Sequence, residues 1–166
     1  MPIWLQRLGQ FHRFLAHQAL YPMLLSTLLA CGLFAGRVYL SHTITYIFLV
    51  WNHFLAWIPY LSSLWAGQLH QSRPGRWWYL IIPGALWLAF FPNAPYIVTD
   101  FLHLRARVSI PIWYDIGMLS VFAWTGLFLA IFSLRTMQKI VKAFLGAIAG
   151  WLFALGALGL GGLGIY

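Results

Sequence analysis

The chain has 166 residues, of which 62% are hydrophobic and only 7% are charged. A soluble domain carries about 25% charged residues, so this composition excludes a water-soluble protein and predicts an integral membrane protein. Ten Lys and Arg residues face only two acidic residues, both Asp. The basic residues stand singly or in small groups between apolar runs, as topology-setting charges do, which argues against a nucleic-acid partner.

The first element along the chain, residues 1–19, has a basic amphipathic pattern. Trp4, Leu8, Phe11 and Leu15 recur at helical spacing, and the basic residues fall elsewhere on the helical wheel. This pattern predicts a helix that lies on the membrane surface. An ordinary extension beside the membrane is the alternative.

Five apolar runs follow, and each is long enough to cross a bilayer. A hydrocarbon core about 30 Å thick requires roughly 20 helical residues. The runs cover residues 20–40, 44–66, 77–99, 112–134 and 143–166. We therefore predict an all-α fold, a polytopic transmembrane helix bundle of about five spans, with residues 20–166 forming a single domain.

The basic residues divide unequally between the two sides of this bundle. One side carries Arg7, Arg13, Arg73, Arg76, Arg135, Lys139 and Lys142. The other side carries Arg37, Arg105 and Arg107. Since basic residues favour the cytoplasmic side, this division predicts a cytoplasmic amino terminus.

The third span is interrupted near its outer end by the sequence FFPNAP. Pro92 and Pro95 have no amide hydrogen, so the carbonyl groups four residues before each of them lose their usual helical donor. Asn93 between them is well suited to capping a new helical turn that begins after it. We predict a structural break in the membrane helix at Pro92 and Pro95, either lining a ligand cavity or forming a simple kink at the membrane surface.

The few polar residues within or beside the spans are expected in the outer half of the membrane. Asp100 and His103 follow the break three residues apart, Asp115 opens the fourth span, and Asn52 lies in the second. Ionisable groups in a membrane are costly and usually functional. Asn52, Asn93, Asp100, His103 and Asp115 are therefore the predicted binding residues.

Several chemistries fit these side chains. Asp100, His103 and Asp115 could bind a divalent cation, act as catalytic acid and base, or carry a proton. In the structural alternative, an aspartate pairs with an arginine of the same side, namely Arg37, Arg105 or Arg107. The residues assign no metal, no cofactor and no reaction.

Glycines are concentrated in the last span. The segment GLGGLG at residues 159–164 has the letters of a dinucleotide-binding loop but lacks the preceding strand and the following acid. We expect these glycines, like Gly146 and Gly150, to allow close helix packing. The same surface could join a homo- or hetero-oligomer.

Four phrases carry a family resemblance: YIFLVWNHFLAWIP, FFPNAPYIVTDFLHL, PIWYD and SLRTMQKI. Together they resemble a bacterial membrane-protein family, domain of unknown function 1361. Its hallmark F-P-N-A-P-Y-I-x-T-D-x-x-H-L is matched at every fixed position from Phe91 to Leu104. The resemblance implies the bacterial cytoplasmic (inner) membrane. It also implies a C-terminally truncated member, because the family continues beyond a G-I-Y phrase like the one at residues 164–166.

Three classes of function remain open at this stage. The first is the binding or translocation of an ion or small polar solute at the outer polar residues. The second is a membrane enzyme that acts on lipid or envelope precursors at the outer leaflet. The third is a structural or assembly subunit without chemistry.

Overall fold

The structure is a computed structural model that describes residue 16 and residues 18–105 and 110–163. The predicted interfacial segment, residues 1–19, lies almost wholly outside the described residues. Arg107 and residues 164–166 lie outside them as well.

The described residues form helices joined by short connections. The α-helices are α1 (Leu20–Ser41), α2 (Ile47–Ser72), α3 (Ile81–Phe90), α4 (Asn93–Tyr96) and α5 (Ile112–Leu163). Two 3-10 helices, Trp77–Leu80 and Ile97–His103, precede α3 and follow α4. Four helical stretches are long and apolar enough to cross a membrane: Leu20–Ser41, Ile47–Ser72, Trp77–His103 and Ile112–Gly162. The all-α prediction of a polytopic membrane bundle is thus confirmed.

Helix α5 is two antiparallel helices joined at one residue. At 1.5 Å per residue, an unbroken helix of this length would measure about 78 Å, more than twice the bilayer core. Gly146 interrupts it with φ 88° and ψ 173°, a backbone conformation that suits glycine. A methyl group on Gly126 would meet Ile97, and one on Gly161 would meet Pro95. Both halves therefore lie against the third span, and the described helices make about five passes.

The connection between the last two spans differs from the sequence prediction. Residues 135–142 were expected to be a loop because they carry Arg135, Lys139 and Lys142. They are helical instead, and the fourth span continues to the break at Gly146. Arg and Lys are good helix formers, and these three side chains are exposed on the surface of the bundle, so the charges do not end the helix.

Two apolar cores hold the bundle together. In one, Tyr60 and Leu64 of α2 pack with Trp87 of α3, with Phe91 directly after α3, and with Leu129 of α5. In the other, the buried residues are Ala30, Tyr46, Leu49, Ile97, Met118, Leu119 and Phe122. From the second core to the first, residue numbers rise in both helices, from Leu49 to Leu64 in α2 and from Met118 to Leu129 in α5, so α2 and the first half of α5 run parallel.

The bundle has two chemically different ends. The His70 ring lies 5.2 Å from the Phe144 ring, which brings the α2–α3 connection beside the turn of α5. This is the basic end, and it carries Arg73, Arg76, Arg135, Lys139 and Lys142. The opposite, acidic end carries Asp100 and Asp115, the only two acidic residues of the sequence.

Candidate functional site

Asp115 is neutralised by an arginine of another helix. The Nε atom of Arg37, at the end of α1, donates to Oδ1 of Asp115 at 2.7 Å, and Nη2 donates to Oδ2 at 3.3 Å. Both side chains are only 1% exposed. The guanidinium carbon also lies 4.4 Å from the centre of the Tyr46 ring. This buried, bidentate ion pair joins α1 to the start of α5. It is the aspartate–arginine pair that the structural alternative predicted for one of the two aspartates.

Asp100 is buried without such a cation. It lies in the 3-10 helix that follows the break, and its residue is 2% exposed. The side-chain amide of Asn52 in α2 donates to both carboxyl oxygens at 3.1 Å. Among the described residues, Asp115 forms an ion pair and Asp100 does not. Two candidate residues from different spans are thus in direct contact, and the partner of the acid is neutral.

Residues at the start of α2 contact both the Arg37–Asp115 pair and the 3-10 helix that carries Asp100. Tyr46 lies under the guanidinium group of Arg37, and the ring of Phe48 lies 5.1 Å from that of His103. In a 3-10 helix, residues three apart stand on the same side, so His103 shares a side of its helix with Asp100. The imidazole of His103 is exposed, whereas the carboxyl group of Asp100 is buried.

At the break in the third span, the hydrogen bonding changes while the backbone keeps right-handed helical angles at Phe91 and Pro92. The amide of Ala94 donates to the carbonyl of Phe91 at 3.1 Å, so the acceptor opened by Pro95 is satisfied three residues along. The Asn93 side chain donates back to the Phe90 carbonyl at 3.2 Å. Its expected capping role was wrong, because α4 begins at Asn93 itself and has no side-chain cap.

The structure does not assemble the three-ligand metal site considered from the sequence. Within the described residues, no three His, Cys, Asp or Glu side chains are grouped so that they could hold a metal ion. Asp115 is engaged with Arg37, which leaves Asp100 and His103 as the only pair of candidates that share one element.

A second polar contact was not predicted from the sequence. The hydroxyl of Thr27 in α1 lies 2.9 Å from Nε2 of His53 and accepts a hydrogen bond from Nε1 of Trp57 at 3.1 Å. The His53 ring also meets the edge of Phe122 at 5.3 Å. The four-residue spacing of His53 and Trp57 signals a shared helix face. The apolar sequence around Thr27 gives no sign that its hydroxyl contacts the face of α2 that carries His53 and Trp57.

Comparison with known proteins decides the family. The family described as "Protein of unknown function (DUF1361)" matches residues 51–166, well over half of the chain. The chain belongs to the DUF1361 family. Asn52, Asp100 and Asp115 lie within the segment that matches DUF1361, and Arg37 lies before it. No curated protein and no solved structure matches the chain.

Proposed function

We propose that this membrane protein binds a small cation at Asp100, beneath its outer face, and that this site serves the recognition or translocation of an ion or small polar solute. The observation that carries the proposal is the contrast between the two aspartates. Both are buried, yet Asp115 forms an ion pair with an arginine, whereas Asp100 is hydrogen-bonded to the neutral Asn52 amide.

Within the part of the chain that the structure describes, no basic side chain forms an ion pair with Asp100, which makes its ionised form unfavourable in the buried site. A buried carboxylate without a counter-charge loses several kcal/mol of hydration free energy that one neutral hydrogen-bond donor does not restore. Such a carboxyl gains stability by taking up a cation, either a proton or a metal ion. Asp115 has no such need because Arg37 already supplies the positive charge.

The chemistry around Asp100 suits a hard cation. Carboxylate and side-chain amide oxygens are the ligands preferred by small oxygen-seeking ions. The Asn52 amide now directs its nitrogen at Asp100, and rotation of that amide would present its oxygen instead. His103 is exposed on the same side of the 3-10 helix as Asp100.

We assign the acidic end to the outer side of the bacterial cytoplasmic membrane and the amino terminus to the cytoplasm. The support is the charge distribution. The described basic residues gather at the end opposite the two aspartates, apart from Arg37, which is neutralised, and Arg105. The carbonyl of Gln18 accepts a hydrogen bond from Tyr60, and its side chain accepts one from Thr136. These contacts put the beginning of α1 on the basic half of the bundle.

A thermal-stability screen of the full chain in detergent tests the proposal. A ligand that binds only the folded protein raises its stability, by about 2.7 kcal/mol at a concentration of one hundred times Kd. Sodium, potassium, ammonium, magnesium and calcium chlorides would be compared with choline chloride at equal ionic strength. We expect at least one cation to raise the melting temperature of the wild-type protein and to leave Asp100→Asn unchanged.

The matched control is Thr99→Val, in the adjacent residue, whose hydroxyl donates to the Tyr96 carbonyl at the end of α4. This variant should keep the full response to the cation. An equal response in Asp100→Asn, or no response of the wild-type protein to any of the cations, would contradict the proposal.

A structural or assembly role is the second candidate, and the Arg37–Asp115 pair favours it because it fastens α1 to α5 inside the bundle. On this reading both aspartates support packing. Asp100→Asn would then lower the amount of protein in the membrane as strongly as Asp115→Asn. The cation-binding proposal instead predicts near-normal amounts of Asp100→Asn, since an amide oxygen still accepts a hydrogen bond from Asn52.

A further inference from the structure

A pocket at the basic end, unrelated to the Asp100 site, has the features of an anion site. It has a volume of about 200 Å³ and lies between the two halves of α5. The lining residues are Arg135, Gln138, Lys139, Lys142, Ala147 and Trp151.

Helical spacing brings the polar groups of this pocket together. Residues 135, 138, 139 and 142 follow one another at intervals of three, one and three, so they form a single stripe along the helix. The returning half of α5 supplies Ala147 and Trp151, one turn apart. A methyl group on Gly150 would lie 3.1 Å from Cβ of Lys142. Glycine at this position thus lets the two helices approach closely and close one side of the pocket.

The cations of the pocket have no acidic partner in the chain. The sequence contains two acidic residues, and both lie at the acidic end, where Asp115 binds Arg37 and Asp100 binds Asn52. Three basic side chains held on one stripe repel one another. An anion from outside the chain would remove that repulsion, and a phosphate group can accept hydrogen bonds from all three and from the amide of Gln138.

The surface around the pocket indicates where the anion comes from. Leu145, Ile148 and Leu152 are exposed by 72%, 78% and 65%, and Trp151, which lines the pocket, is itself 64% exposed. In a membrane these apolar side chains face acyl chains, and tryptophan favours the headgroup level. A phospholipid carries a phosphate and acyl chains in one molecule and resides in the bilayer. A basic pocket between spans on the cytoplasmic side is also a known arrangement for anionic lipid headgroups.

We propose that this pocket binds the phosphate of an anionic phospholipid, with the acyl chains lying along the exposed face that begins at Leu145. The lipid would fill the space at the turn and fix the two halves of α5 relative to each other. The proposal does not depend on cation binding at Asp100, because the two sites lie at opposite ends of the bundle and are probed by different ligands.

Native mass spectrometry of the purified full chain tests it, with equal amounts of phosphatidylglycerol and phosphatidylcholine added to the detergent. The wild-type protein should retain phosphatidylglycerol selectively. Each basic residue near a lipid surface contributes about 1 kcal/mol, or roughly fivefold in affinity. Lys139→Gln/Lys142→Gln should therefore bind about 25-fold more weakly. Lys139→Arg/Lys142→Arg keeps the charge and should keep the lipid.

The matched control is Arg73→Gln/Arg76→Gln, which removes the same charge from the same end but outside the pocket. Equal losses in the control and the pocket variant would overturn the site and indicate general attraction by charge. Unchanged lipid retention in the pocket variant would overturn it too. An arm in which sodium phosphate is added to the lipid-bound protein separates the two sources of phosphate. Displacement of the lipid by an equal concentration of phosphate would mean that the pocket takes free phosphate instead.

Discussion

The buried Arg37–Asp115 pair allows the sharpest quantitative prediction. Replacing Asp115 by Leu leaves Arg37, whose side chain is 1% exposed, without its counter-charge. Two hydrogen bonds, at 2.7 and 3.3 Å, are lost with it. Removal of one partner from such a pair costs about 3–5 kcal/mol. For a chain of this size, 1 kcal/mol shifts the melting temperature by about 2–4 °C, so a decrease on the order of 10 °C is expected.

The same reasoning predicts a recovery in the double variant. When both partners become apolar, as in Arg37→Met/Asp115→Leu, no charge remains buried, and such replacements are often nearly neutral. Thermal unfolding in detergent of the wild type, both single variants and the double variant forms a complete cycle. We expect a coupling of about 2 kcal/mol or more between the two positions. The solvent-exposed Arg76→Met is the matched control and should unfold as the wild type does.

Two results would refute this account of the pair. In one, each single variant melts within about 2 °C of the wild type, so that the pair contributes less than 1 kcal/mol. In the other, the double variant loses the sum of the two single effects. The second result would mean that the two side chains act independently, and the ion pair would not be what joins α1 to α5.

Three further predictions concern helix contacts, and each is measured by melting temperature in detergent. Gly126→Ala should lower stability by about 1–3 kcal/mol because its methyl group would overlap the third span. Gly117→Ala, on the same helix with open space around it, should be neutral or stabilise by up to about 1 kcal/mol, and equal effects of the two would contradict the packing. Gly146→Val should destabilise by about 1–3 kcal/mol because φ is 88° there, and a neutral effect would argue against the reversal. Thr27→Val should cost about 1–3 kcal/mol by leaving His53 without its partner, and an unchanged melting temperature would exclude that contact as stabilising.

The sequence was sufficient to predict the membrane class and most helix positions, because apolar length is a local property. The predicted spans at 20–40 and 77–99 begin at the first residues of α1 and of the 3-10 helix before α3. The turn of α5 was misplaced for a physical reason. Charged residues suggested a loop, yet a helix with an exposed stripe tolerates them, and only the backbone of Gly146 shows where the chain reverses.

The sequence was sufficient to single out candidate residues but not to predict which of them pair. Scarcity of polar groups singled out Asp100, Asp115 and Asn52 before any coordinates. Which arginine neutralises which aspartate depends on how α1 packs on α5, and three arginines were open choices. The Asn93 amide was misjudged because a short polar side chain at a proline break can bond backward as readily as forward.

The central claim is that one aspartate of this chain takes up a cation and the other does not. Because the sequence contains only two acidic residues, both Asp, protein labelled with ¹³C at the aspartate carboxyl carbon gives two side-chain signals, and Asp100→Asn assigns them. The chlorides of sodium, potassium, ammonium, magnesium and calcium would replace choline chloride in turn. The account predicts that at least one of them moves the Asp100 signal and leaves the Asp115 signal in place. An Asp100 signal that no cation moves, or an Asp115 signal that moves equally, would contradict it.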